Sequence, residues 1–230
     1  GLPVVQPEIV DAMSHDEAAF TQGLVCFGGK LFESTGLNNA SSVRVLDPDT
    51  GTVLCKKPLV GHWGEGIAVH QGRLVQLTWQ SGIALVYALD SLEIVDELRF
   101  EGEGWGLTTC SGEFLMTNGS NDLVFRDSEF KVVRTVEVRR MGLGLKWLND
   151  LTTARTRVLV NRLGDSLMFE INPDTGAIAR IVDGSELIRL ARPLGPQNVL
   201  NGVAYDESAD IFYVTGKCWK TLFKVRIPPE

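Results

Sequence analysis

Glu65 stands between two glycines in HWGEGIAV (His62–Val69). A carboxyl held beside tryptophans at the mouth of a channel loses hydration, and its pKa rises. That suits a glutamate to general acid/base work. Taken alone, the same residues read as a Gly-Glu-Gly turn with a solvated carboxylate. Lys217 ends the run VTGK (Val214–Lys217). It could offer an ammonium to a developing oxyanion, or lie solvated on a turn. Asn149 in WLNDL and Asn201 in VLNG occupy matching places. Amides there can tie neighbouring strands together, which is the role expected for Asn201; that of Asn149 is open. Gln22 follows Phe20 and Thr21 where FTQGL begins. All five tryptophans (Trp63, Trp79, Trp105, Trp147, Trp219) fall in or just after these motifs. An indole is a flat apolar wall with one N–H donor, fit for a small polar ligand and equally fit for packing.

Something must bring these scattered groups together. Gly is frequent (24 of 230 residues), and short apolar runs end in turn residues throughout, an all-β signature. Five segments look alike: Phe20–Phe27, Trp63–His70, Gly104–Cys110, Trp147–Thr153 and Val199–Asp206. Each is followed by a turn and a second apolar run, then by further strands with turns such as DPDTG (Asp47–Gly51) and NPDTG (Asn172–Gly176). Markers at Gly23, Gly66, Gly106, Asp150 and Gly202 are spaced by 43, 40, 44 and 52 residues. Four strands in about 40–45 residues is one propeller blade. A sandwich with similar strand spacing has no reason to repeat. The reading is one domain over residues 1–230, a five-bladed β-propeller with a short helical insertion near 184–195. The last blade has only three strands of its own, so the N-terminal strand in PVVQPEIVDAM is expected to complete it and close the ring.

Composition limits the alternatives. With 44% apolar and 22% charged residues the chain is ordinary globular. No stretch approaches the roughly 20 apolar residues of a membrane helix. Net charge is −7 with no basic stripe, so neither nucleic acid nor membrane is an expected partner. The three histidines and four cysteines show no metal-ligand spacing, and no metal is assigned. Cys26, Cys55, Cys110 and Cys218 are expected as four free thiols, since their strands place no pair together.

As a set, these motifs resemble the plant and bacterial type of glutaminyl cyclase, the glutamine cyclotransferases. The matching stretches are HDEAAFTQGL, LFESTGL with SSVRVLDPDTG, GEGIAV, GWGL, LND, LNGVAYD and VTGKCW with LFKV. They come from all five repeats. The resemblance implies a five-bladed propeller that converts N-terminal glutamine of a peptide or protein to pyroglutamate, releasing ammonia without a redox or organic cofactor. It implies Glu65, Lys217 and Asn149 as catalytic residues, with Gln22, Phe20, Trp79 and Trp105 at the substrate. Trp63 and Trp147 join that wall as further candidates.

The fourth repeat departs from the family. Asp150 and Thr152 stand for two glutamates, Leu163 for a third pocket tryptophan, and Gly164 for a glutamine. The pocket should be more open there unless Trp147 fills the gap. A propeller that binds peptide N-termini without turnover is the alternative reading. A calcium-dependent lactonase would need more acids in the channel and normally six blades. A structural calcium in the central channel is compatible with carbonyl and Asn oxygens. A monomer, secreted or periplasmic, is expected.

Overall fold

The computed structural model describes residues 1–230. Its first strands, β1 (Val4–Val5) and β2 (Glu8–Ser14), serve the end of the chain and are taken up below. Blade I is β3 (Thr21–Phe27), β4 (Lys30–Thr35), β5 (Ser42–Leu46) and β6 (Val53–Pro58). Blade II is β7 (Gly64–His70), β8 (Arg73–Thr78), β9 (Ile83–Ala88) and β10 (Ile94–Arg99). Blade III is β11 (Leu107–Cys110), β12 (Glu113–Met116), β13 (Asp122–Arg126) and β14 (Val132–Glu137). A small hairpin, β15 (Arg139–Arg140) and β16 (Leu143–Gly144), leads to blade IV. That blade is β17 (Leu148–Ala154), β18 (Arg157–Arg162), β19 (Leu167–Ile171) and β20 (Ile178–Asp183). Blade V is β21 (Leu200–Asp206), β22 (Ile211–Gly216) and β23 (Thr221–Arg226).

The fourth strand of blade V is β2, paired antiparallel with β23, as the three-strand shortfall predicts. The preceding β1 adds a pairing the sequence did not signal. It runs parallel to β20 and gives blade IV a fifth strand. One N-terminal segment thus holds two blades.

The apolar residues sort into five clusters, one at each blade–blade interface. Phe32 and Val43 meet Ile67 and Leu74 between blades I and II. Leu77 meets Phe114 between II and III, and Phe125 meets Phe169 between III and IV. Met168 meets Phe212 between IV and V. Leu24 and Leu31 meet Tyr213 and Leu222 between V and I, which closes the circle. The outermost strands β6, β10 and β14 are mostly exposed, whereas the starts of the inner strands are buried. Burial therefore runs inward, toward the channel.

The long last repeat holds helix α1 (Ser185–Ala191), shorter than the insertion predicted at 184–195. Ser185 is its first residue, and the Asp183 carboxylate accepts from its backbone N–H. Leu187 and Ala191 bury one face in the IV–V interface. The two PDTG turns fold alike: Asp47 accepts the N–H of Asp49 and Thr50, and Asn172 that of Asp174 and Thr175. Asn201 bridges blades as expected, its Nδ2 donating to Thr21 O at 3.0 Å and its Oδ1 accepting from Asp150 N at 3.4 Å. The four thiols are unpaired, and burial raises the Cys26 pKa to about 11.

Candidate active site

Four inner strands begin with a one-residue bulge. Register shifts by one between Thr21 and Gly23, between Gly64 and Ile67, between Leu148 and Leu151, and between Leu200 and Val203. Gln22, Glu65, Asn149 and Asn201 lie within those shifts. A bulge breaks the strict alternation of side chains and re-aims the extra residue. Here it turns three polar groups into one cavity at the channel mouth. The glycines flanking Glu65 exist for packing as well: a Cβ on Gly66 would sit 2.5 Å from Leu107 N, and one on Gly64 2.6 Å from Thr35 O. Gly66 N donates to Trp105 O at 2.7 Å across that close approach.

The cavity holds about 160 Å³. Ordinary small-molecule pockets run to roughly 300–1,000 Å³, so this one suits a single side chain. Its polar groups are Gln22, Glu65, Asn149 and Lys217. Its apolar walls are Phe20, Trp63, Trp79, Trp105 and Leu163. Phe20 meets Trp63 edge-on at 6.1 Å between centroids, and Trp63 tilts onto Trp79 at 5.1 Å.

Glu65 is 5% exposed, and its Oε1 accepts from Gln22 Nε2 at 3.2 Å. Burial drives its pKa well above the ordinary carboxylate range; Lys217 opposes that shift, and the carboxyls of Glu103 and Asp150 reinforce it. The Trp63 indole N–H is buried without a well-formed partner, yet lies close enough to Glu65 to favour its ionised form. Lys217 is 6% exposed, so it is no solvated turn residue. Its Nζ lies 4.6 Å from the Phe20 ring centre, a cation–π contact. Burial lowers the Lys217 pKa, against the pull of Glu65. Gln22 Oε1 and Asn149 Oδ1 are buried with no partner, so two acceptors stand ready for donors from a ligand.

The cavity therefore gathers eight of the nine residues singled out from the sequence. The exception is Trp147. Its backbone is left-handed (φ 71°), its ring is 50% exposed, and it stacks beside Trp105 at 6.2 Å without lining the cavity. It does not fill the place of a third tryptophan; Leu163 lines the cavity there. The fifth tryptophan, Trp219, is core, donating to Asn198 O at 2.8 Å beneath Gly216. Two further acids bear on the site. Asp150 is fully buried deeper in the channel, with Oδ2 accepting Val203 N at 2.8 Å and Oδ1 unpaired, and burial lifts its pKa well above normal. Glu103 lies behind the tryptophan wall in EGEGWGL, a second Gly-Glu-Gly that its likeness to the Glu65 motif could have flagged. No group of three or more His, Cys, Asp or Glu side chains is arranged to hold a metal.

The chain is similar to known proteins over nearly its whole length. A solved structure, Myxococcus xanthus glutaminyl cyclase, superposes with a TM-score of 0.93 at 31% identity, covering 98% of each chain. A curated relative, glutaminyl-peptide cyclotransferase from Arabidopsis thaliana, is 33% identical over 226 residues, 96% of this chain and 71% of the relative. The family model described as glutamine cyclotransferase matches residues 1–227, and the chain belongs to that family.

Proposed function

We propose that this propeller is a glutaminyl-peptide cyclotransferase that closes the N-terminal glutamine of peptides or proteins to pyroglutamate, with Glu65 as the proton shuttle. The family and both relatives support the reaction. The observation that carries the residue assignment is the state of Glu65: a buried carboxyl of raised pKa, in a cavity sized for one side chain, facing Lys217 and Asn149.

The nucleophile is the substrate's own α-amine, of pKa about 8. It arrives largely as ammonium and must lose a proton. An ionised Glu65 takes that proton. The amine nitrogen then bonds to the side-chain amide carbon, and the carbonyl oxygen gains negative charge. Lys217 supplies positive charge toward that oxygen, and the Asn149 amide can donate to it. Collapse breaks the bond from carbon to the amide nitrogen. Glu65 returns the proton to that nitrogen, which departs as ammonia. The new ring nitrogen still carries one proton too many; the regenerated Glu65 carboxylate takes it and passes it to the ammonia, which leaves as ammonium. One C–N bond forms and one breaks, the two protons lost by the substrate ammonium end on the departing nitrogen, and Glu65 ends ionised as it began.

The indole walls hold the glutamine side chain folded back on its amine, and such positioning is where an intramolecular reaction gains most. Gln22 Oε1 is an acceptor placed for an N–H of the substrate. No metal, redox or organic cofactor enters these steps. The test is ammonia release from a Gln-initiated peptide, beside Glu65→Gln. The variant keeps shape but cannot shuttle a proton, so the rate should fall at least about 100-fold. Full activity in the variant would overturn the assignment of Glu65.

A further inference from the structure

Glu103 belongs to no step of that reaction and does not line the cavity. Its carboxylate nevertheless faces the outer side of the tryptophan wall. Oε2 accepts from the indole Nε1 of Trp105 at 2.9 Å, and Oε1 accepts from Gln80 Nε2 at 3.1 Å. The Trp79 indole makes a looser contact with the same group. Gln80 follows Trp79 directly, and Trp105 lies two residues after Glu103. One side chain thus fastens the segment after β8 to the segment before β11, and both segments carry a wall tryptophan. Gly104 N, between Glu103 and Trp105, donates to Trp79 O at 2.9 Å, so backbone and side chain join the same two segments.

We propose that Glu103 is a positioning residue that clamps Trp79 and Trp105 into one rigid wall beside Glu65. This rests on the function proposed above and adds two consequences. The indole N–H of Trp105 is committed to Glu103, so it is not an oxyanion donor. Trp63 is then the wall tryptophan whose N–H is turned toward Glu65. The second consequence is charge. Hydrogen bonds from Trp105, and then from Gln80 and Trp79, hold Glu103 ionised by lowering its pKa. Its negative charge disfavours ionisation of Glu65, as does the buried Asp150, while Lys217 favours it. All three are ionisable groups that act on Glu65, and because burial pushes Asp150 toward its neutral form, Glu103 is the standing negative charge among them.

The sign follows. Turnover needs an ionised Glu65 to meet the substrate ammonium, so the acid limb of the rate profile reports Glu65. Removing the Glu103 charge lets Glu65 ionise more easily and moves that limb to lower pH. Removing the acceptor frees the two indoles and raises KM.

Three variants separate the roles. Glu103→Gln removes charge and keeps one acceptor oxygen; the acid limb should move to lower pH. Glu103→Asp keeps the charge but falls short of the indole; the limb should stay near wild type while KM rises. Glu103→Ala should show both effects, with KM up about tenfold for the lost charge-assisted bond. The titration of Glu65 followed by carboxyl carbon NMR, in wild type and Glu103→Gln, gives the charge effect without turnover. The Trp105 indole N–H resonance, which should move upfield in Glu103→Ala, gives the clamp likewise. A protein that releases no ammonia but shows both NMR shifts would refute the proposed function and keep the clamp. A Glu65 titration and a Trp105 resonance that both ignore these substitutions would overturn the clamp.

Discussion

Lys217 and Glu65 share one small cavity without forming a direct ion pair, and each biases the other's proton. The Lys217 ammonium holds the Glu65 pKa below what burial alone would impose. Lys217→Met keeps the length of the side chain and deletes the charge. Glu65 should then titrate higher, and the acid limb of the rate profile should move to higher pH, opposite to the shift expected for Glu103→Gln. The maximal rate should drop about 100-fold through loss of charge stabilisation at the oxyanion. A pH series on a Gln-initiated peptide measures both. At this scale the sequence was legible where chemistry and spacing coincide. Gln22, Glu65 and Asn149 could be named because each sits just before the marker residue of its repeat, and Lys217 because it ends the run VTGK after the second strand of the last repeat. Trp147 could not be placed, since a residue type and a repeat position do not reveal a left-handed backbone (φ 71°) that turns the ring outside. Asp150 is legible as a repeat marker and as an inner-strand acid that departs from the family pattern, but its complete burial and its effect on Glu65 are not.

At the scale of the strand, the bulges decide where those groups point. An unbroken β7 would send Glu65 and its neighbours alternately to opposite faces, and the extra residue re-sets that alternation at the channel mouth. A period of two with an apolar face shows that a strand is present, but one inserted residue at its start leaves no mark in composition. That is why the five inner segments could be found and the cavity could not be drawn. Gly36, just past β4, shows how finely the wall is set. A Cβ there would lie 2.5 Å from Trp63 Nε1 and 3.0 Å from Gln22 Cγ. Gly36→Ala should therefore displace the Trp63 indole and the amide that donates to Glu65. The expected result is a fall in kcat/KM of about tenfold, with a stability cost of about 1–3 kcal/mol. Peptide kinetics and urea denaturation check the two separately. A variant with wild-type kinetics would mean that Trp63 has room to move.

The whole ring depends on how its two chain ends are joined, and the joint contains a buried charge cluster. His15 follows β2, the strand that completes blade V. Its Nδ1 lies 2.6 Å from Trp219 O and its Nε2 2.6 Å from Glu33 Oε2. The carbonyl can only accept, and Glu33 is held ionised, so both ring nitrogens carry protons. Thr21 donates to the same carboxylate at 2.9 Å, while Arg44 lies 3.9 Å from its other oxygen and bonds Asp16 at 2.6 Å. Burial works against a charged His15, yet Glu33 outweighs it and the histidine pKa is raised. Burial likewise opposes the Glu33 charge, and His15 and Arg44 outweigh it, so that pKa is lowered. The repeat length and the missing fourth strand made the ring and its closure readable in advance, but nothing in HDEAAF announces a histidine sealed between two blades. The two shifts have opposite consequences for stability. A raised histidine pKa stabilises the fold fully below the unfolded value of about 6.5 and loses that contribution as pH climbs through the folded value. A lowered carboxyl pKa stabilises it above about 4.3 and loses that contribution as pH falls through the folded value. Stability should thus be greatest between those limits and decline on the alkaline side as His15 gives up its proton. His15→Ala leaves Glu33 buried without its partner and should cost about 3–5 kcal/mol. His15→Gln keeps a donor but does not titrate, so it should flatten the alkaline decline while lowering stability in the mildly acidic range. Denaturant unfolding followed from pH 5 to pH 9 distinguishes the variants, and an unchanged alkaline slope in His15→Gln would place the titrating group elsewhere.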